Sequence, residues 1–182
     1  ETRVPYASLR GRALGILHYL QGVGARPGDE VVILVDGPAP FVDTFWSCVL
    51  GGMVAVPVAP GNADEHKAKL FRVLAKLRTP ALATERRIFD RLRAFAIDTG
   101  LACVLDLIER RTIFLDEIAD VTQPGKQHPV ATGDVAMIQF SSGSTSEPKG
   151  VLLTHANLCT NIAAIAAGVQ ARAGDSSLSW MP

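Results

Sequence analysis

Apolar runs alternate with amphipathic stretches along most of the chain, the pattern of an α/β protein built on a largely parallel sheet. Residues 31–35 are five apolar residues, mostly β-branched, and predict a strand buried on both faces. Before it, Ser8 is placed to cap a helix with Leu9, Ala13, Leu14, Ile16, Leu17 and Leu20 on one stripe and Gly24 near its end. After it, Asp36-Gly37-Pro38 opens a second helix, with Phe41, Val42, Phe45, Trp46, Val49 and Leu50 at helical period. Gly51-Gly52 stops that helix, and residues 53–58 make a short strand.

The alternation continues. A helix from about Asp64 turns Leu70, Phe71, Leu74 and Leu77 inward, and 81–84 is a short strand. Residues 85–98 form a helix with Ile88, Leu92, Phe95 and Ala96 inward, and 101–107 are a strand candidate. Residues 108–133 have weak periodicity and read as surface connection, with one helical turn near 116–119. A strand at 135–140, a polar loop at 141–150 and a strand at 151–153 follow. Thr154 then caps a long helix to about residue 171. There is no internal repeat.

Composition narrows the function. Eighteen Lys plus Arg balance eighteen Asp plus Glu, and only 6% of residues are aromatic. That disfavours a nucleic-acid binder, which would be basic or rich in stacking side chains. No apolar run has the roughly 18–20 residues of a membrane span, and the start shows no leader pattern. Cys48, Cys103 and Cys159 are odd in number and widely spaced within apolar segments. They are expected as buried free thiols in a reducing, cytoplasmic compartment rather than as a disulfide or metal set. No two His or Cys stand at metal-ligand spacing.

The chemistry concentrates in Ser141-Ser142-Gly143-Ser144-Thr145-Ser146-Glu147-Pro148-Lys149-Gly150. Five hydroxyl side chains, two glycines and one lysine lie in ten residues between two strands. Glycine admits close backbone approach, hydroxyls and N–H groups donate to phosphate oxygens, and lysine adds a point charge. The plainer alternative is a surface turn, but a buried strand delivers the loop and Pro148 fixes its exit. It is neither a Walker A loop nor a nucleophile elbow, because the glycine spacing of each is missing.

The loop resembles the phosphate-binding motif of the adenylate-forming superfamily, which takes in acyl-CoA synthetases, nonribosomal adenylation domains and fatty acyl-AMP ligases. Ser141, Ser142, Gly143, Ser144, Thr145, Pro148, Lys149 and Gly150 match; Ser146 stands where most members have glycine. Tyr6-Ala7-Ser8-Leu9, Gly28-Asp29 and the stretch from Phe45 to Pro60 resemble earlier elements of the same superfamily. Ser146 and the closing Ser179-Trp180-Met181-Pro182 resemble the fatty acyl-AMP ligase branch in particular.

The resemblance implies a fold and a reaction. The chain is expected to be the N-terminal portion of the AMP-binding domain, with the rest of the large domain and a C-terminal subdomain beyond it. The fold is then layered α/β, a largely parallel sheet flanked by helices. ATP, with Mg²⁺ as charge partner, would activate a fatty acid or other carboxylate to an acyl-adenylate. The phosphopantetheine thiol of an acyl carrier protein, or CoA, would then take the acyl group. Ser142, Ser144, Thr145 and Lys149 are assigned to the β/γ-phosphates of ATP, with the N–H groups of Gly143 and Ser144 assisting and Ser141 as a lesser candidate for the same phosphates. No catalytic residue and no metal ligand is assigned within these residues. An acyl-CoA synthetase, an amino-acid adenylation domain and a non-catalytic nucleotide-binding scaffold are the rivals.

Other candidates have plainer explanations. His155 follows the loop but reads as a first-turn helix residue, His18 as structural, and His66 and His128 as surface residues. Nine Lys or Arg between residues 66 and 93 stand against Glu85 and Asp90. They could dock an acidic carrier protein, or be two solvated helix faces. Phe41, Phe45 and Trp46 could line a pocket but fit core spacing better. Asp36 lies where open α/β sheets place ligands, at the carboxyl end of a strand.

Overall fold

The computed structural model describes residues 3–141 and 147–176. Among the described residues six strands form one sheet: β1 (Glu30–Leu34), β2 (Val54–Pro57), β3 (Ala81–Thr84), β4 (Thr112–Phe114), β5 (Val135–Ser141) and β6 (Lys149–Thr154). Their order is β4-β3-β1-β2-β5-β6. All pairings are parallel except β5 with β6. The expected α/β architecture is therefore present, with one antiparallel strand at the edge.

Side-chain alternation along β1 divides the interior into two layers. Val31, Ile33 and Val35 join Leu14, Leu17 and Leu20 of α1 (Tyr6–Gly22), with α2 (Pro38–Gly51) on the same face. Val32 and Leu34 join Leu70, Phe71, Phe89 and Leu92 of α3 (Asp64–Leu74) and α4 (Arg86–Asp98). Helix α5 (Ala102–Glu109) completes that second layer through Leu105 and Ile108.

Several expectations need correction. Ser8 is not the cap of α1; the helix starts at Tyr6, with extended Pro5 at its N-cap and no side-chain bond there. The Pro5 carbonyl accepts from the N–H of Leu9 at 3.0 Å and so begins the helix without help from a side chain. The strand expected at 101–107 is helix α5. Its apolar residues recur at 101, 104, 105 and 108, a helical spacing, and Leu105 and Ile108 are buried. The strand falls instead at β4, inside the stretch read as connection, where Ile113 is buried against β3.

Helix α2 lies on the sheet by the side opposite to the one its apolar pattern suggests. Asp43, Thr44, Ser47, Cys48 and Gly51 are buried, whereas Val42 and Trp46 are 37% and 44% exposed. Phe41, Phe45 and Leu50 pack on the flank of the core. Close contact explains the choice: a methyl on Gly51 would lie 2.4 Å from Leu17 Cδ1, so only small side chains fit between the two helices. Arg12 meets the buried Asp43 carboxylate with both Nε and Nη2, at 2.7 and 2.8 Å.

A 3-10 turn, Leu115–Glu117, matches the short helical turn expected there. Beyond it the chain straps α1: the Tyr19 hydroxyl donates to the Asp120 carbonyl, and Gly125 N–H donates to the Leu14 carbonyl at 2.7 Å. Gly52 holds φ +66° as it ends α2, a conformation that favours glycine. Of the three cysteines only Cys48 is buried; contrary to expectation Cys103 is exposed on the outer face of α5, and Cys159 is exposed on α6 (His155–Gly168), which buries none of its residues. No helix among the described residues is long and apolar enough to cross a membrane.

Candidate functional site

Strands β5 and β6 form an antiparallel hairpin whose connection is the hydroxyl-rich loop. Register partners run from Val135↔Thr154 to Phe140↔Gly150 and Ser141↔Lys149. Ser141 and Lys149 therefore face each other across the mouth of the loop, about 5 Å apart at their Cα atoms. Both are exposed, while Pro148 is buried and anchors the exit. Ser142, Gly143, Ser144 and Thr145 lie outside the described residues. The loop leaves the carboxyl end of a parallel strand, where open α/β sheets place their ligands.

The hairpin extends the sheet beyond β2. β5 pairs with β2 at one position, Ala55↔Met137, and its pairing with β6 breaks register between Val135 and Met137. An open trough of about 680 Å³ runs between the hairpin and the segment after α3, lined by Lys76, Leu77, Arg78, Phe140 and Gly150 among others. Across its rim, Lys76 Nζ lies 3.2 Å from the Glu147 carboxylate, two residues before Lys149. Gly150 is required by packing: a Cβ there would approach Ile138 to 2.9 Å and the Phe140 ring to 3.1 Å.

Helix α6 begins directly after β6. Thr154 caps it as expected: its Oγ1 accepts from Asn157 N–H at 3.2 Å, and the Asn157 side chain accepts from Thr154 N–H at 3.0 Å. The N–H groups of His155 and Ala156 donate to the carbonyls of Asp134 and Thr132. With these donors taken, the start of α6 is no anion site, and the loop is the better candidate. His155 is the first residue of α6. Six strand residues separate it from the loop, roughly 20 Å at 3.3 Å per residue, which argues against a shared reaction centre.

The remaining candidates are drawn into ordinary contacts. Asp36 lies at the carboxyl end of β1, but Arg87 holds its carboxylate at 2.9 Å and its N–H donates to Glu85. Among the nine basic residues of 66–93, Lys67, Lys76, Arg78, Arg86, Arg87 and Arg93 pair with Asp64, Glu147, Glu30, Glu117, Asp36 and Glu109. That stretch is a charge mosaic rather than a bare basic face. Phe41 stacks on Phe45 and Phe45 meets Trp46 edge-on, beside the core rather than around a pocket. His18 is half-buried beside Tyr19, and His66 and His128 are exposed. Among the described residues no three His, Cys, Asp or Glu are grouped to hold a metal ion.

Comparison with known proteins adds an independent line. A family model described as AMP-binding enzyme matches residues 1–182. A Caulobacter vibrioides protein named as an acyl-CoA synthetase is 31% identical over 186 residues, covering 98% of this chain and 31% of that protein. Long-chain-fatty-acid–AMP ligase FadD32 of Mycolicibacterium smegmatis is 29% identical over 179 residues, covering 97% and 28%. Among solved structures, the adenylation domain of a keto acid-selecting NRPS module bound to keto acyl adenylate superposes with a TM-score of 0.81 at 26% identity, covering 97% of this chain and 31% of that one. The chain spans less than a third of the length of each of these.

Proposed function

The chain belongs to the family of AMP-binding enzymes, and from that premise we propose that it is the N-terminal portion of the adenylating domain of a carboxylate-activating ligase. The observation that carries this reading is the hairpin, which sets Ser141 opposite Lys149 at the mouth of a hydroxyl-rich loop on the carboxyl end of β5. Bare apolar surface supports the incompleteness: Val151, Leu152, Ile162, Ile165 and Val169 are 51–70% exposed on β6 and α6. Such surface in a folded enzyme is covered by something, here by further parts of the same domain.

In this reading ATP and a carboxylate are the substrates. A carboxylate oxygen attacks the α-phosphorus, the bond to the bridging oxygen of pyrophosphate breaks, and acyl-adenylate forms. A thiolate then attacks the acyl carbon, giving a thioester and releasing AMP. The work of this segment is to hold the departing phosphates. Lys149 supplies a fixed positive charge, while the hydroxyls of Ser142, Ser144 and Thr145, the N–H groups of Gly143 and Ser144, and Ser141 supply donors. These contacts position the phosphates and stabilise charge as it builds on the leaving pyrophosphate. Mg²⁺, when bound, would neutralise phosphate charge, using the phosphates and residues elsewhere in the protein as ligands.

The substrate we favour is a fatty acid and the acceptor an acyl carrier protein. Ser146 within the loop and the relatedness to the FadD32 ligase support that choice. The Caulobacter relative favours CoA as the rival acceptor. The two exposed thiols fit the reducing cytoplasm.

The test is carboxylate-dependent pyrophosphate–ATP exchange by the full-length protein across fatty and amino acids, followed by a choice between CoA and carrier protein. Loss of one charge-assisted phosphate contact costs about 1.5–3 kcal/mol. Lys149→Ala should therefore lower kcat/KM for ATP by about 10- to 150-fold. An unaltered ATP dependence, or exchange that ignores carboxylates, refutes the reading.

A further inference from the structure

An acidic residue inside an anion-binding loop needs an explanation. Glu147 stands two residues before Lys149, so their Cα atoms are at most about 7 Å apart. A phosphate group held at Lys149 would share the loop exit with that negative charge, and within about one Debye length, roughly 8 Å, salt screens such a repulsion incompletely. Lys76 lies against Glu147 at 3.2 Å, although 71 residues separate them in the chain.

The lysine comes from a fixed backbone. Its N–H donates to the Val73 carbonyl at 2.9 Å, and the next N–H, of Leu77, donates to Leu74 at 3.2 Å. Leu77 packs against the core of the helical layer, so the chain on either side of Lys76 is held. The ammonium is thus delivered to the loop exit from an element that does not belong to the hairpin.

We propose that Lys76 is a positioning residue for the nucleotide, cancelling the charge of Glu147 so that this loop can accept polyphosphate. The proposal rests on the ATP-binding reading of the loop. It differs from a simple tether in a sign that can be measured. If the pair only braced the hairpin, removing either partner would weaken ATP use. If the lysine cancels a repulsive charge, removing the lysine harms ATP use and removing the glutamate does not.

The experiment is carboxylate-dependent pyrophosphate–ATP exchange by the full-length protein, with KM for ATP and kcat measured for Lys76→Met, Glu147→Gln and the double variant. Exposed ion pairs are worth up to about 1 kcal/mol. Lys76→Met should therefore raise KM for ATP about two- to five-fold, with kcat at saturating ATP within a factor of about two. Glu147→Gln should show a KM no higher than wild type, and the double variant should return to that level. A rise in the Glu147→Gln variant equal to that of Lys76→Met overturns the proposal in favour of a brace. A double variant as impaired as Lys76→Met overturns it in favour of direct contact between Lys76 and ATP. An unchanged KM in Lys76→Met overturns it outright. Absence of carboxylate-dependent exchange in the wild-type protein is a separate result, which overturns the nucleotide reading and this inference with it.

Discussion

Replacing Arg12 by Met should destabilise the protein more than replacing its partner Asp43 by Leu. The guanidinium meets the carboxylate at two points, 2.7 and 2.8 Å. The partners differ in exposure: the Asp43 side chain is 12% exposed and that of Arg12 is 35%. Arg12→Met leaves a carboxylate on the packed side of α2 with its main partner gone. A fully buried pair broken in this way costs about 3–5 kcal/mol, and an exposed one about 0–1. The half-open arginine puts this pair between those limits, at about 2 kcal/mol. For a domain of this size that is about 4–8 °C in Tm. Asp43→Leu leaves the arginine head near water, where it can rehydrate, and should cost about half as much. The double variant should recover most of the loss of Arg12→Met, because no charge is left stranded. Thermal and urea unfolding followed by circular dichroism give the four corners of the cycle. An Arg12→Met protein within 1 °C of wild type, or a double variant as unstable as the sum of the singles, refutes the reasoning.

Two further outcomes test other parts of the structure. Burial pushes the Cys48 thiol up to about 12, whereas Cys103 and Cys159 are exposed. Iodoacetamide should therefore label Cys103 in the native state and Cys48 only after denaturation, as read by peptide mass spectrometry; equal labelling of the two refutes the packing of α2. In acid, Glu117 is held below the usual carboxylate range by its hydrogen bonds to Arg86, and Asp120 by the N–H and hydroxyl of Thr122. Their contribution is complete above the unfolded carboxylate values of about 4 and is lost as the pH falls through the lower folded values. Tm should decline as pH is lowered from 5 to 3, and Arg86→Gln should flatten that decline; an identical slope in the variant counts against the pair.

Periodicity was a good guide where one periodicity had no competitor. The run at residues 31–35 and the short run Ala81–Thr84 gave β1 and β3, since β-branched and small apolar residues in a row suit a strand covered on both faces. It failed on α2, where two stripes compete. The bulky stripe, with Val42 and Trp46, looked like the core, but the small stripe of Thr44, Ser47, Cys48 and Gly51 lies on the packed side. Hydrophobicity ranks the first stripe higher, while the gap left by Leu17 admits only the second. Residues 101–108 failed for a different reason. A short apolar run can be taken for strand or helix, but the spacing of Leu101, Val104, Leu105 and Ile108 fits the helix, while β4 fills the place beside β3. The run Thr112-Ile113-Phe114 is itself strand-prone, but it is short and stands in a stretch of otherwise weak periodicity.

The candidate site divides along the same line. The candidate loop was legible as a motif because five hydroxyl side chains, two glycines and one lysine fall within ten consecutive residues. Ser141 opposite Lys149 follows almost directly from a strand on either side. Lys76 was not legible: within its own stretch it is one of nine basic residues, and those near it mostly pair with carboxylates close to the helical layer. What singles it out is the fold, which lays Glu147 of the hairpin exit against it across the trough. A local motif states which chemistry a loop is built for, but the electrostatic setting of that loop is decided by whichever distant element the fold lays beside it. The charge within the motif, at Glu147, is therefore the place where sequence and fold must be reconciled, and the opposite effects expected for Lys76→Met and Glu147→Gln follow from that.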